Sequence, residues 1–344
     1  MDYLDDYDST AVYNYTEETI PWHEEPVFKH RSTCFSGVLC VLLLVVSVLI
    51  FLLGFFGNGL VIWIAGFKMK RTVNTSWYLS LAVSDFVFCA FLPFNIVSMV
   101  MEDWIFGVFL CKFASWVMFL NMFSSIFLLV VISVDRCVSV VFPVWAQNQR
   151  TVKKAWVVIV LAWVLAMVLS VPSIVYRDIN THLGATTCFN KYPLYRTQQI
   201  VALSRFLAGF VVPLVIIFTC YSIIMSKLRN NRMNKSSKPF KVMTALVAAF
   251  FTCWLPYHVF VLLELDEKHH SSALKAGLQI STYVASANSF LNPVLYVFMG
   301  SDFKKKFRSS VLSKMANAMA EEARTTSRYL SRSSSMDARA STHI

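Results

Sequence analysis

Seven stretches of this sequence are long and apolar enough to cross a lipid bilayer: Gly37 to Gly66, Ser76 to Val100, Val108 to Val140, Ala155 to Tyr176, Ile200 to Met225, Phe240 to Leu263 and Ala276 to Met299. A spanning helix needs roughly 20 mainly apolar residues, because hydrocarbon is about 30 Å thick and each helical residue rises about 1.5 Å. Barrel strands would read as short alternating segments, and these runs are nearly continuous. Only a helix satisfies its own backbone hydrogen bonds in lipid without closing a sheet. With 56% hydrophobic and 15% charged residues in 344, the chain is predicted to be all-α, with a seven-helix membrane bundle over residues 37–300.

Basic residues divide unevenly between the two sets of connecting segments. The loops after the first, third and fifth runs, with the C-terminal tail, hold 21 Lys and Arg; the other side holds seven. The positive-inside bias therefore predicts a cytoplasmic C-terminus and an extracellular N-terminus. The net charge of +11 then describes a cytoplasmic face suited to anionic membrane lipid and acidic partners, and not to nucleic acid.

Residues 1–36 carry eight acidic side chains against Lys29 and Arg31, with Tyr3, Tyr7, Tyr13 and Tyr15 among the acids. This composition predicts a disordered segment. It reads either as a solvated tail or as an electrostatic lure for a basic ligand, strengthened if the tyrosines are sulfated. It lacks the basic start and apolar core of a signal peptide, so the first helix is expected to direct insertion. Asn14-Tyr15-Thr16 is an extracellular glycosylation sequon; those at Asn74 and Asn234 fall on the cytoplasmic side and are expected to stay bare.

After the seventh run, Phe303, Phe307, Val311 and Met315 recur every four residues among Lys304, Lys305, Lys306 and Arg308. That pattern predicts an amphipathic helix on the membrane surface over 301–316. Residues 317–344 are rich in Ser and Thr and are expected to be disordered, either as a plain linker or as a phosphorylation cluster centred on Ser333, Ser334 and Ser335.

Five cysteines (Cys40, Cys89, Cys137, Cys220, Cys253) lie in apolar runs and read as small buried side chains. Cys111 and Cys188 face the oxidising side, so a bridge between them is expected to pin the long fourth loop across the mouth of the bundle. Cys34 has no assigned partner.

A charge inside a span is costly and marks function by default. Asp85, Asp135, Arg136 and Arg205 are the four candidates. Asp85, Asn121, Ser125, Asn288 and Asn292 fall at similar depths and can converge on a pocket for a hydrated Na⁺ beside one carboxylate, or on a hydrogen-bond network with Asp85 protonated. Pro93, Pro172, Pro213, Pro256 and Pro293 mark kinks, and Trp254 immediately precedes one of them.

Other functional classes leave different marks. A transporter would show internal repeats or paired charges along a path across the midplane, and none is apparent. No histidine pair has metal-ligand spacing within a run, and no nucleophile arrangement or phosphate loop occurs, so no enzyme is expected.

Taken in order, Gly57-Asn58, Leu81-Ala82-Val83-Ser84-Asp85, Asp135-Arg136-Cys137, Trp163, Pro213 with Tyr221, Cys253-Trp254-Leu255-Pro256 and Asn292-Pro293-Val294-Leu295-Tyr296 put one motif on each helix. The set resembles a rhodopsin-like G protein-coupled receptor. The stretches "DRCVSVVFPVWAQNQR", "CWLPYH" and "NPVLYVFMGSDFKKKFRSSV" are similar to the chemoattractant branch that holds the formyl peptide and chemerin receptors. "FKMKRTVNTSWYLSLAVSDF" and "LNMFSSIFLLVVISVDRC" lie nearer its chemerin side. Formyl peptide receptors typically have Asp in place of Phe119 and Arg in place of Val201, which counts against a formylated ligand. Met118 replaces the ligand-binding aspartate of amine receptors.

The resemblance implies a chemerin-like peptide ligand, inhibitory-class G protein, arrestin and receptor kinases as partners, at the plasma membrane. It implies a ligand cup in which Arg205 takes a peptide's C-terminal carboxylate, flanked by Phe119, Met118, Asn95, Tyr257 and Glu264. It also implies an activation switch: Asp135 holds Arg136 in the off state, and opening about Pro256 below Trp254 releases Arg136 toward Tyr221 and Tyr296. Many relatives carry an acidic partner for this arginine near the base of the sixth helix, where this chain has Ser236 between Lys235 and Lys238. A formyl-peptide or lipid-mediator receptor, and a scavenger that binds without signalling, remain as alternatives.

Overall fold

A computed structural model of the chain describes residues 37–182, 184–230, 238–266 and 271–299, with backbone alone at 228, 230, 238–241 and 296–299. The expectations for the acidic N-terminus, Asn14, Cys34, Ser236, the surface helix and the Ser333–Ser335 cluster fall outside the described residues.

The first spanning helix is α1 (Val38–Trp63), prolonged by a π-helical turn at Ile64–Lys68. Then come α2 (Val73–Met101), α3 (Gly107–Val141), the short α4 (Pro143–Gln149) and α5 (Val152–Val175). A hairpin of β1 (Arg177–His182) and β2 (Ala185–Asn190) follows. Next, α6 (Tyr195–Phe206) continues through a π turn at Leu207–Val211 into α7 (Val212–Asn230), before α8 (Lys238–Leu263) and α9 (Ser272–Met299). Because α6 and α7 form one continuous rod, seven helices have spanning length. Among the described residues, six of them also carry a stretch apolar enough to cross a membrane. The seventh, α9, is 28 residues long but carries Ser281, Thr282, Ser286, Asn288, Ser289 and Asn292.

Several helices begin before the apolar runs that announce them, and at α2 and α5 a threonine caps the extended start. The Thr72 hydroxyl accepts from the Thr75 N–H at 3.2 Å to start α2, and Thr151 caps α5 through the Lys154 N–H at 3.4 Å. The short α4 was not announced by any run; Pro143 occupies its first turn, where no amide is needed. In the fifth rod, Pro213 has no N–H to give, and the π turn just before it shifts the ladder so that the Val212 N–H reaches the Leu207 carbonyl.

Polarity is inverted relative to a protein in water. Leu42, Val46, Leu49, Leu53 and Phe56 of α1 face outward, while Asn58, Asp85, Asn121, Ser289 and Asn292 are buried. The central element is α3, whose most apolar stretch is 72% buried against 17% for that of α1. Trp163 of α5 donates to the Ser80 hydroxyl of α2 at 2.9 Å, tying the fourth span to the second.

The hairpin pairs Arg177 with Asn190 and Ile179 with Cys188 in antiparallel register. The Cys111–Cys188 disulfide fastens it to the start of α3. The Trp104 backbone N–H donates to the Thr186 carbonyl at 2.8 Å, so the α2–α3 connection joins the same layer. Cys40 departs from expectation: it is disulfide-bonded, where its apolar run suggested a buried thiol. It lies in the first turn of α1, close enough to the helix end to be reached by another thiol.

Gly54 marks a close approach of α1 to its neighbours, since a Cβ there would overlap Cys89 Sγ and touch Phe290. Gly54→Val should cost about 1–3 kcal/mol by overpacking. Thermal unfolding of the purified chain, followed with a thiol-reactive dye, would show a lowered midpoint; an unchanged one would contradict this packing.

Candidate functional site

The bundle is hollow at the hairpin end, in two connected lobes. One, of about 310 Å³, is lined by Met118, Phe119, Arg177, Arg205, Tyr257, Glu264 and Lys275. The other, of about 530 Å³, is lined by Asn95, Glu102, Asp103, Met118, Arg177 and Tyr283. The six residues that the sequence assigned to a ligand cup thus line one continuous opening. Arg177 and Lys275 were visible only as two of the seven outward-side cations, yet both line it. Their signal in the sequence was rarity, since few basic residues fall on that side.

The cup is polar in an uneven way. Arg177, Arg205 and Lys275 line the smaller lobe together with Glu264, whereas Glu102 and Asp103 border the larger one. Asp178, on the hairpin, is outside the spans; the Ile179 N–H and the Lys191 ammonium hold its carboxyl below the usual range.

Arg205 is 7% exposed. Its Nη2 donates to Ser173 Oγ at 2.9 Å, and its guanidinium carbon stands 3.7 Å from the centroid of the Phe119 ring. Its Nε has no partner among the described residues. The π turn after Phe206 helps place it, because Arg205 and Phe210, five residues apart, are both buried. Below it the rings of Phe119 and Tyr257 lie 6.2 Å apart, those of Tyr257 and Trp254 5.7 Å, and those of Trp254 and Phe250 6.0 Å. These spacings are those of interacting aromatic pairs. A continuous column of rings therefore leads from the floor of the cup past the level of Pro256 within α8.

At the middle of the bundle the Asp85 carboxylate accepts from Asn121 Nδ2 at 2.8 Å and Asn292 Nδ2 at 2.7 Å. Ser289 Oγ reaches Asn121 Oδ1 at 3.3 Å, and Asn58 Nδ2 donates to the Ser289 carbonyl at 2.8 Å. Three helices, α2, α3 and α9, are joined through one acid, and Asn58 adds α1 through the Ser289 carbonyl. Ser125 Oγ and Asn288 Oδ1 are buried without partners among the described residues.

The opposite end corrects the expected Asp135–Arg136 pair. Asp135 takes Arg150 instead, through Nε to Oδ1 at 2.7 Å and Nη2 to Oδ2 at 2.8 Å. Arg136 donates its Nη2 to Asn74 Oδ1 at 2.5 Å, and Arg150 donates to the same oxygen. The reason is helical geometry: adjacent residues project about 100° apart and do not face each other. Arg150, which the sequence presented only as one loop cation, supplies the fork that Arg136 cannot. Tyr221 packs partly buried against the main core. Tyr296 lies on α9, and its side chain is outside the described residues.

Residues 57–296 match the family model of the 7 transmembrane receptor (rhodopsin family). The chain is 44% identical to Chemerin-like receptor 1 of Sus scrofa, over 94% of this chain and 93% of that relative. It is 42% identical to Chemerin-like receptor 1 of Homo sapiens, over 93% and 91%. With Formyl peptide receptor-related sequence 1 of Mus musculus it shares 39%, over 89% and 93%.

The bidentate bridge makes Asp135 and Arg150 energetically dependent. Arg150→Ala and Asp135→Ala should each lower the unfolding midpoint, and the double variant should lose less than their sum, with a coupling on the order of 1 kcal/mol. Additive losses in thermal unfolding would show that the bridge contributes nothing.

Proposed function

We propose that this chain, which belongs to the rhodopsin family of seven-transmembrane receptors, receives a chemerin-like peptide chemoattractant at the plasma membrane and signals through an inhibitory-class G protein and arrestin. In this reading the hairpin end is extracellular and the basic end is cytoplasmic, as the Lys and Arg bias favours. The observation that carries it is Arg205: a nearly buried guanidinium lining the cup, stacked on Phe119, with Nε unengaged.

A peptide's C-terminal carboxylate matches that fork in charge and planarity, and in a desolvated cup such a contact is stronger than in water. Phe119 holds the guanidinium flat from one face. Met118, Asn95, Tyr257 and Glu264 border the volume that the rest of the peptide fills. A ligand shifts an equilibrium only through its different affinity for two states. Here that difference is transmitted through the rings from Phe119 to Trp254, which bias the hinge at Pro256. Outward movement of α8 then opens the basic end. Arg136, leaving Asn74, turns toward Tyr221 and Tyr296 to receive the G protein. Asp135 keeps Arg150 and so anchors α3 to the loop while Arg136 moves. Receptor kinases acting on Ser333, Ser334 and Ser335 would add the negative charge that arrestin reads.

The expected readout is inhibition of cyclic AMP and recruitment of arrestin in cells expressing the chain and given the C-terminal peptide of chemerin. The free acid should be more potent than its amide by about ten- to a hundredfold, the usual worth of a charged hydrogen bond. Arg205→Ala should remove that difference. Silence toward chemerin with a response to a formylated peptide or a lipid mediator would replace the ligand assignment. Binding without either signal would make the chain a scavenger.

The central network fits an allosteric Na⁺. Asp85 supplies charge, and Ser125 and Asn288 supply oxygens that have no other described partner. Such a cation, when held, stabilises the closed packing of α2, α3 and α9 around one carboxylate. Purified receptor should melt at a higher temperature in NaCl than in choline chloride of equal strength, and Asp85→Asn should abolish the difference. An equal salt response in both proteins would refute the site.

A further inference from the structure

A third cavity opens at the basic end, on the flank of the bundle and away from both the cup and the Asp85 network. It is a groove of about 400 Å³ between α2, α3, α4 and α5. Trp77, Val134 and Val158 supply its apolar walls and Trp145 of α4 one edge, while Arg150 and Lys154 stand at its polar end. Trp145 is 57% exposed and its neighbour Val144 73%, on a short helix that otherwise turns only Ala146 inward. Large apolar side chains beside a basic loop describe a surface that meets a membrane, with tails against the aromatic edge and headgroups against the cations.

The two cations are not equivalent. The Arg150 charge is matched by Asp135, whose two oxygens take Nε and Nη2, and Nη2 also donates to Asn74. Lys154 makes a single hydrogen bond, to Gln149 Oε1 at 2.5 Å, and an ammonium has three protons to give. The groove therefore has one available positive charge at its mouth. A neutral sterol would leave that charge unmatched, and a zwitterionic lipid brings a cationic headgroup that offsets its own phosphate.

We propose that this groove binds the acyl chain of one anionic phospholipid, with its net negative headgroup on Lys154. The inference takes the basic end as cytoplasmic, as proposed above, where anionic lipid is concentrated. The lipid would contact the loop that carries Arg150. Its occupancy would then bear on the Asp135–Arg150 bridge at the end from which G protein approaches.

The test is lipid retention by the purified full-length receptor in detergent, read by native mass spectrometry after exposure to mixed phosphatidylserine and phosphatidylcholine. Because it measures binding alone, it can fail without affecting the orientation, ligand or coupling. Wild type should keep one phosphatidylserine in preference to phosphatidylcholine by about fivefold, the usual effect of one basic residue near a membrane surface. Lys154→Gln should remove the preference, Val134→Trp should remove retention by filling the groove, and Lys227→Gln, at a distant basic site, should change neither. Equal retention of the two lipids would overturn the proposal. So would a loss in Lys227→Gln matching that in Lys154→Gln, because both results describe a basic face without a built site.

Discussion

Hydrocarbon offers no partner for a hydrogen bond, and most of this structure follows from that. Each span must close its own backbone as a helix, and each polar side chain within a span must turn toward another. Asn58, Asp85, Asn121, Ser289 and Asn292 come from α1, α2, α3 and α9, and they meet because the alternative is lipid. Leu42, Val46, Leu49 and Leu53 can face outward at no cost for the same reason. Gly54 and the small side chains nearby let the helices approach closely enough for the polar groups to touch.

The same constraint governs the irregular places. Pro93, Pro172, Pro256 and Pro293 each remove an amide from the interior of a helix, and Pro213 follows a π turn that re-spaces its rod. In water such breaks would be solvated. Inside a bundle they are held by neighbours and make the helices able to bend at fixed positions. The cup uses this: Arg205 precedes the π turn, and Trp254 precedes Pro256, with Phe119 and Tyr257 bridging between them.

At the mouth, the chain leaves hydrocarbon, and a covalent bond takes over. The Cys111–Cys188 disulfide draws the hairpin against α3 and carries Arg177 into both lobes of the cup. At the other end, ionic contacts do the equivalent work: Arg150 links Asp135 of α3 to Asn74 of α2. The two ends thus differ in how firmly they are closed. A disulfide does not open on the time scale of signalling, whereas hydrogen bonds shared by two guanidiniums and one amide oxygen can exchange.

The sequence by itself determined the seven spans, the pairing of Cys111 with Cys188 and the identity of the buried polar residues, because hydrophobic length and the cost of intramembrane charge are properties of the chain alone. Its motifs also determined the family. Arg205, Phe119, Met118, Asn95, Tyr257 and Glu264, assigned to a cup by resemblance, line the cavities at the hairpin end, whereas the place of Arg177 and Lys275 there was not legible, since it depends on a hairpin fold and on where α9 begins. The partner of Asp135 was decided only by tertiary structure. Two adjacent residues read as a pair along the sequence, but a helix turns them apart and brings Arg150, fifteen positions away, within 2.7 Å. The groove beside Lys154 is likewise a product of packing, because four helices must be in place before it exists.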